Sequence, residues 1–181
     1  EKTLAVANPR VLALSQATIH LLQTVGVWEH LARQMPYSGM QVWNKNGYGE
    51  IHFGESSENT PRIDQALGSM VEPSILNLAI QKKMLEQVQD YRTQVKVVRV
   101  EQGVGVWHIQ LADGTTLKTK LVIGADGANS FVRDQAFIDF DVLDYKQAGL
   151  TCAIRTVQPH LHVARQIFHE TGPLAFLPMA S

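Results

Sequence analysis
The sequence predicts a mixed α/β chain. Two stretches of helical periodicity are interleaved with runs of alternating apolar residues, and a continuous apolar run at residues 121–123 leads through glycines into a further short helix. Its 181 residues suffice for one domain with a substantial core. An apolar share of 45% and a charged share of 18% are those of an ordinary globular protein.

The elements follow in order. Between Leu14 and Val25, the residues Leu14, Thr18, Leu21, Leu22 and Val25 fall near one helical face, with Ser15 placed to cap the helix and Gly26 to stop it. After the short turn "VWEHLARQM" come two alternating runs, "GMQVWNKNGYGEIHFG", around Asn46 and Gly47, a pair that favours a tight hairpin turn at positive φ. Glu55 to Asp64 reads as a surface loop. Helical spacing returns at Glu72, where Pro73 suits a first helical position and Leu76, Ile80, Met84 and Val88 recur every four residues. "VKVVRVEQ", "GVWHIQLADG" and "TTLKTKLVIGADG" then alternate as strands, with Asp113 and Gly114 as a hairpin signal. Beyond Tyr145, "GLTCAIRTV", "VARQIFH" and "GPLAFLPM" alternate again.

Composition excludes several classes. Sixteen basic against seventeen acidic residues leave a net charge of -1, which gives no reason to expect nucleic acid as a partner or a polybasic membrane anchor. A lone cysteine, Cys152, allows no internal disulfide and no multi-cysteine metal site, and makes the cytosol the default compartment. Cys152 itself, in an apolar alternating run, is expected to be a buried small hydrophobe. Trp28, Trp43 and Trp107 are expected to fill the core. His160 and His162, beside a proline, are expected to be solvated loop residues, and no metal site is predicted. The abrupt start on a charged pair without Met reads as a piece of a longer protein.

The stretch "LVIGADGANSFVRDQA" carries the chemistry. Leu121, Val122 and Ile123 read as a strand buried on both faces, and Gly124 as a place where the backbone passes close to something else. Asp126 and Gly127 turn the chain, and Asn129 or Ser130 caps a helix through Arg133. A strand feeding a helix N-terminus in this way presents N–H groups suited to a phosphate or a ribose hydroxyl. The plainer reading is a strand-to-helix connection whose Asp-Gly serves turn geometry alone. Ser130 is a cap and not a nucleophile, since no His and Asp partner motif accompanies it.

"GADGANSFVR" resembles the Asp-Gly motif of the FAD-dependent aromatic hydroxylases. "RVLALSQATIHLLQTVGVWEHL" and "MVEPSILNLAIQKKML" are similar to two further segments of their FAD-binding domain, in the same order. "YSGMQVWNKNGYGEIHF" and "AIRTVQPHLHVARQIFHETGPLAFLPM" narrow the likeness to the ubiquinone-biosynthesis hydroxylases. The resemblance implies a partial FAD-binding domain, Rossmann-like and of the aromatic-hydroxylase type, at residues 1–37 and 72–140. It places a hairpin and loop of the substrate domain at 38–71 and the start of a β-rich substrate-domain sheet at 141–181.

It also implies the site. Arg10 would approach the FAD, at a phosphate or the polar edge of the ring, and Glu72 borders the cofactor before its helix, although Pro73 departs from the pattern of the relatives. Ala125, Asp126 and Gly127 form the turn, Asp126 accepting from a ribityl or ribose hydroxyl and Gly127 permitting close backbone approach. Arg133 would face NAD(P)H, the competing reading being a helix-surface arginine. No residue is assigned a catalytic role, because a phenol ring is already nucleophilic.

The implied reaction is hydroxylation of the ring of a polyprenylphenol with dioxygen, its chemistry belonging to the cofactor. Phe168, Leu174, Phe176 and Leu177 suit a polyprenyl tail and suit a sheet core better. Peripheral association with the inner membrane, contact with other ubiquinone-biosynthesis proteins and self-association are further implications. The sequence contains neither the family's Gly-x-Gly-x-x-Gly turn nor its later Gly-Asp motif, so the chain alone is expected to bind FAD poorly and not to turn over. Two competing readings are a non-catalytic binding or assembly module and a related flavin reductase or halogenase.

Overall fold
The structure is a computed structural model. It describes residues 8–54, 56–57, 60–61 and 63–180. The chain divides into two compact units, one made of Glu1–Gln89 with Gly149–Ser181 and the other of Asp90–Ala148.

The first unit begins with β1 (Leu12–Ser15), which runs directly into α1 (Gln16–Thr24). Ser15 caps α1 as its sequence position predicts, its Oγ accepting from the Thr18 N–H at 3.3 Å. The buried side of α1 matches the predicted one only in part: Leu14 and Leu22 lie in or against the core, but Ile19 is the buried residue of the helix, whereas Leu21 and Val25 are 61% and 44% exposed. Ile19 packs with Leu14 and Val71, and Leu22, Trp28 and Leu76 close around them. The same rotation occurs in α2 (Pro73–Gln87), where Ile75 and Ala79 are buried while Ile80 is exposed. A stripe taken at spacing four drifts around a helix of 3.6 residues per turn, so neighbouring positions are needed to find its true face.

Three short strands form the sheet beneath these helices: β2 (Met35–Tyr37) and β1 both pair antiparallel with β7 (Gly68–Val71). All four residues of β7 are buried, and the strand delivers the chain straight to Glu72 and α2. A second sheet has the order β12-β11-β3-β4, from β3 (Gly39–Asn44), β4 (Glu50–Phe53), β11 (Val163–His169) and β12 (Gly172–Phe176). Here β11 lies parallel to β3, Val163 opposite Gly39 and Phe168 opposite Asn44. Ala164, Tyr37 and Met70 make the buried cluster under it, with Met40 packed against them.

The β3–β4 hairpin exists, but its loop runs from Lys45 to Gly49 and neither Asn46 nor Gly47 adopts positive φ. Instead Asn44 Oδ1 accepts from the Asn46 N–H at 3.1 Å, so an Asn side chain makes the turn. The expected loop from Glu55 to Asp64 lies partly outside the described residues; within it, β5 (Ser56–Ser57) pairs with β6 (Thr60–Pro61).

The second unit is a meander of β8 (Val97–Gln102), β9 (Trp107–Leu111) and β10 (Thr116–Thr119), followed by the Asp-Gly stretch and α3 (Phe131–Gln135). Asp113 serves its hairpin as expected, accepting from the Thr115 N–H at 2.8 Å. The strand predicted at residues 121–123 is not there: the segment joins no sheet, and Leu121 and Ile123 are 69% and 78% exposed. An apolar run becomes a doubly buried strand only between two neighbouring strands, and none pairs with it among the described residues.

Other expectations are corrected in the same way. Residues 149–157 form no strand, and Cys152 is exposed rather than buried. The three tryptophans are half-buried, not central. Phe168, Leu174, Phe176 and Leu177 are 40–46% exposed, so they do not form the interior of the sheet.

Candidate functional site
The predicted site residues fall into two clusters, one in each unit. In the second unit, the Asp-Gly stretch folds around a carboxylate. Ser130 Oγ donates to Asp126 Oδ1 at 2.5 Å, the Val132 N–H donates to Asp126 Oδ2 at 3.1 Å, and the Arg133 N–H donates to Ser130 Oγ at 3.0 Å. Ser130 is therefore the cap that the sequence suggests. The first N–H groups of α3, expected to be offered to a ligand, are instead taken by the chain's own Asp126 and Ser130.

Two glycines allow this winding. Gly127 has φ of +90°, and a Cβ there would meet nothing within 4 Å, so its requirement is conformational and its outer face is open. Gly124 is the close approach that the sequence anticipates, because a Cβ would stand 3.0 Å from Val132 side-chain atoms. Ala125, Asp126 and Gly127 are all exposed. The Ser130 hydroxyl, then the Val132 N–H, holds the Asp126 carboxyl below its ordinary 3.8, so it is an anion at neutral pH.

Arg133 is half-buried behind this turn. Its Nη1 donates to the Ala128 carbonyl at 3.0 Å, and its guanidinium carbon lies 3.5 Å from the centre of the Phe140 ring. These contacts make Arg133 a clamp on the Asp-Gly loop.

In the first unit, Glu72 and Arg10 come together through Asn8. The Glu72 side chain is 5% exposed and takes Arg33 in a two-pronged pair, Nε to Oε1 at 2.5 Å and Nη2 to Oε2 at 2.9 Å. The Asn8 N–H donates to Glu72 Oε2 at 2.6 Å, and Asn8 Oδ1 in turn accepts from the Arg10 N–H at 2.9 Å. Arg33, foremost through that hydrogen-bonded pair, keeps the Glu72 carboxyl below its ordinary 4.5 against the opposing cost of burial. Arg10 is exposed. Sequence reasoning missed Arg33: it lies 39 residues from Glu72 on a segment without periodicity, and only the pairing of β2 with β7 brings the two together.

FAD carries a pyrophosphate, ribityl and ribose hydroxyls, and a flat ring, and the residues divide against that chemistry. An exposed arginine at Arg10 fits a phosphate. An exposed, ionised Asp126 beside an open Gly127 fits a hydroxyl donor and a close backbone approach. The Glu72 carboxylate does not offer itself, being saturated by Arg33 and Asn8, and the α3 N-terminus is filled. Within the second unit, Ala125, Asp126 and Gly127 have chemistry that suits a hydroxyl; within the first, Arg10 has chemistry that suits a phosphate and Glu72 anchors the segment that carries it.

A family model described as an FAD binding domain matches residues 2–178. The ubiquinone biosynthesis monooxygenase COQ6, mitochondrial, of Danio rerio is 33% identical over 96% of this chain and 37% of its own length. The 3-demethoxyubiquinol 3-hydroxylase of Escherichia coli (strain K12) is 29% identical over 94% of this chain and 43% of its own. The chain thus spans about two fifths of the length of the curated relatives it matches. Among solved structures, P. aeruginosa PqsL in complex with 2-aminobenzoylacetate has a TM-score of 0.57 at 21% identity, covering 77% of this chain and 40% of that one, a likeness of fold. With nearly every residue inside the matched span, the chain belongs to the FAD-binding domain family.

Proposed function
We propose that this chain is part of an FAD-dependent monooxygenase that hydroxylates the aromatic ring of a polyprenylphenol in ubiquinone biosynthesis, using NAD(P)H and dioxygen. The observation that carries the reading is the Ala125–Gly127 turn, exposed and pre-set by Ser130 and Val132 around an ionised Asp126, within a chain whose relatives bear monooxygenase and hydroxylase names. Bound FAD would accept hydride and activate dioxygen. Asp126 would accept from a ribityl or ribose hydroxyl, Gly127 would let the backbone lie against the cofactor, and Arg10 would neutralise a phosphate. Arg133 would supply positive charge to NAD(P)H.

The phenol needs no side-chain base, since its ring is electron-rich; the protein must orient it and exclude water. Half-exposed Leu174 and Phe176, which share one face of β12, would offer apolar surface to a polyprenyl tail, whereas Phe168 lies on the other face of the sheet. In this reading residues 1–37 and 72–140 serve the FAD, and residues 38–71 and 141–181 serve the substrate. Peripheral contact with the inner membrane would follow from where so apolar a substrate resides.

The test uses a protein of the relatives' full length. Purified with FAD, it should convert a polyprenylphenol to a product heavier by one oxygen atom, with NAD(P)H consumed in step. NAD(P)H oxidation without hydroxylated product would instead identify a flavin reductase, and absence of both flavin and turnover would identify a non-catalytic module.

A further inference from the structure
The turn that feeds β11 is wound against the preference of its side chains. The Val163 N–H donates to the His160 carbonyl at 3.1 Å, closing a β-turn whose central residues, Leu161 and His162, have φ of 52° and 56°. That left-handed form suits glycine and asparagine and is costly for leucine.

Side chains hold it in place. The His162 N–H donates to His160 Nδ1 at 3.1 Å, His162 Nδ1 bonds the Pro36 carbonyl at 2.7 Å, and Arg165 Nη1 donates to the His160 carbonyl at 3.2 Å. The His162 carbonyl accepts from the Ser38 and Gly39 N–H groups at 3.0 and 3.4 Å, which ties the turn to the entrance of β3. The two rings stand edge to face, their centres 5.3 Å apart. Far from being solvated loop residues, both histidines are half-buried.

A proton affects the two histidines differently. His162 Nδ1 faces a carbonyl and so acts as a donor, a role that imidazolium retains. His160 Nδ1 is an acceptor, and imidazolium has no lone pair there. The groups facing His160 are the His162 ring and the Arg165 guanidinium, both unfavourable to a further positive charge, and the Met179 main chain, which favours it. Burial foremost, then His162, pushes His160 below its ordinary 6.5.

We propose that the His160–His162 turn is an acid-sensitive latch: protonation of His160 Nδ1 breaks its bond to the His162 N–H, releases the left-handed turn and loosens the join between β11 and β3. The sign follows from the lowered pKa. The closed turn is favoured while His160 is neutral; an open turn takes up the proton first as pH falls below 6.5, and closure is lost toward the lowered value.

Amide hydrogen exchange read by NMR on the full chain tests this, each rate being divided into the intrinsic rate at the same pH. Between about pH 7.5 and about pH 5 the His162 amide should lose protection by roughly tenfold or more. His160→Asn keeps an acceptor oxygen at the same place and cannot titrate, so its His162 amide should stay protected at both pH values. Leu161→Gly removes the strain and should shrink the acid loss in the otherwise unchanged chain. Protection in the unsubstituted protein that does not change across this range would overturn the proposal. So would an equal loss in His160→Asn, which would place the titrating group elsewhere.

Discussion
Replacing Glu72 by alanine should destabilise the first unit more than any surface change of equal size. The substitution deletes both prongs of the Arg33 pair and the acceptor of the Asn8 N–H. Removing one partner of a buried pair typically costs about 3 to 5 kcal/mol. Arg33 is 23% exposed on its side chain, so water relieves part of that cost, and the low end of the range, about 3 kcal/mol, is the expected loss. For a chain of this size that is roughly a 10 °C fall in Tm. The pH dependence carries the same signature. Because the folded carboxyl titrates below 4.5, the unfolded chain binds the proton first on acidification. The contribution of Glu72 is therefore whole above 4.5 and drains away as pH falls through the lowered value. Glu72→Gln should remove this acid-side slope. Thermal unfolding by circular dichroism at neutral pH and across the acid range measures both effects. A loss under about 0.5 kcal/mol, the size of a neutral surface change, would refute the account of Glu72 as an anchor.

Three further outcomes concern the Asp-Gly stretch. Ser130→Ala should cost about 1 kcal/mol of stability in the second unit through the lost cap, and the Arg133 amide should exchange faster in consequence. Asp126→Ala in a full-length, flavin-loaded protein should lower retained FAD, read from the visible spectrum after gel filtration; full retention with a loosened α3, seen by amide exchange, would leave Asp126 as a turn residue only. Arg133→Ala should raise the Michaelis constant for NAD(P)H roughly tenfold, as loss of one charge-assisted contact does. It should also cost about 2 kcal/mol through the Ala128 and Phe140 contacts, so stopped-flow flavin reduction is compared with Arg133→Lys, which keeps the charge.

Much of the local structure, including the candidate Asp-Gly turn, was legible because its signals are local. Ser15 and Ser130 cap the helices they precede, Pro73 opens α2, Asp113 closes its hairpin, and Gly124 permits the approach of Val132, each within a few residues of its partner. The Asp-Gly stretch was found from sequence for the same reason: turn and cap chemistry acts over one or two turns of chain.

The mixed α/β class, the hairpins and the family membership carried by three ordered segments can be read from residue order. Which side of α1 and α2 is buried emerges with the packed fold, since that depends on what the neighbouring strands present and not on a helix's own period alone. The packed fold alone joins β11 to β3 in parallel, with the His160–His162 turn at their shared entrance. It assigned Glu72 to Arg33 and not to a ligand, and it spent the N–H groups of α3 on Asp126. These are long-range or saturation effects: a carboxylate's role depends on which donors reach it first in space, and residue order fixes that only after the chain has folded.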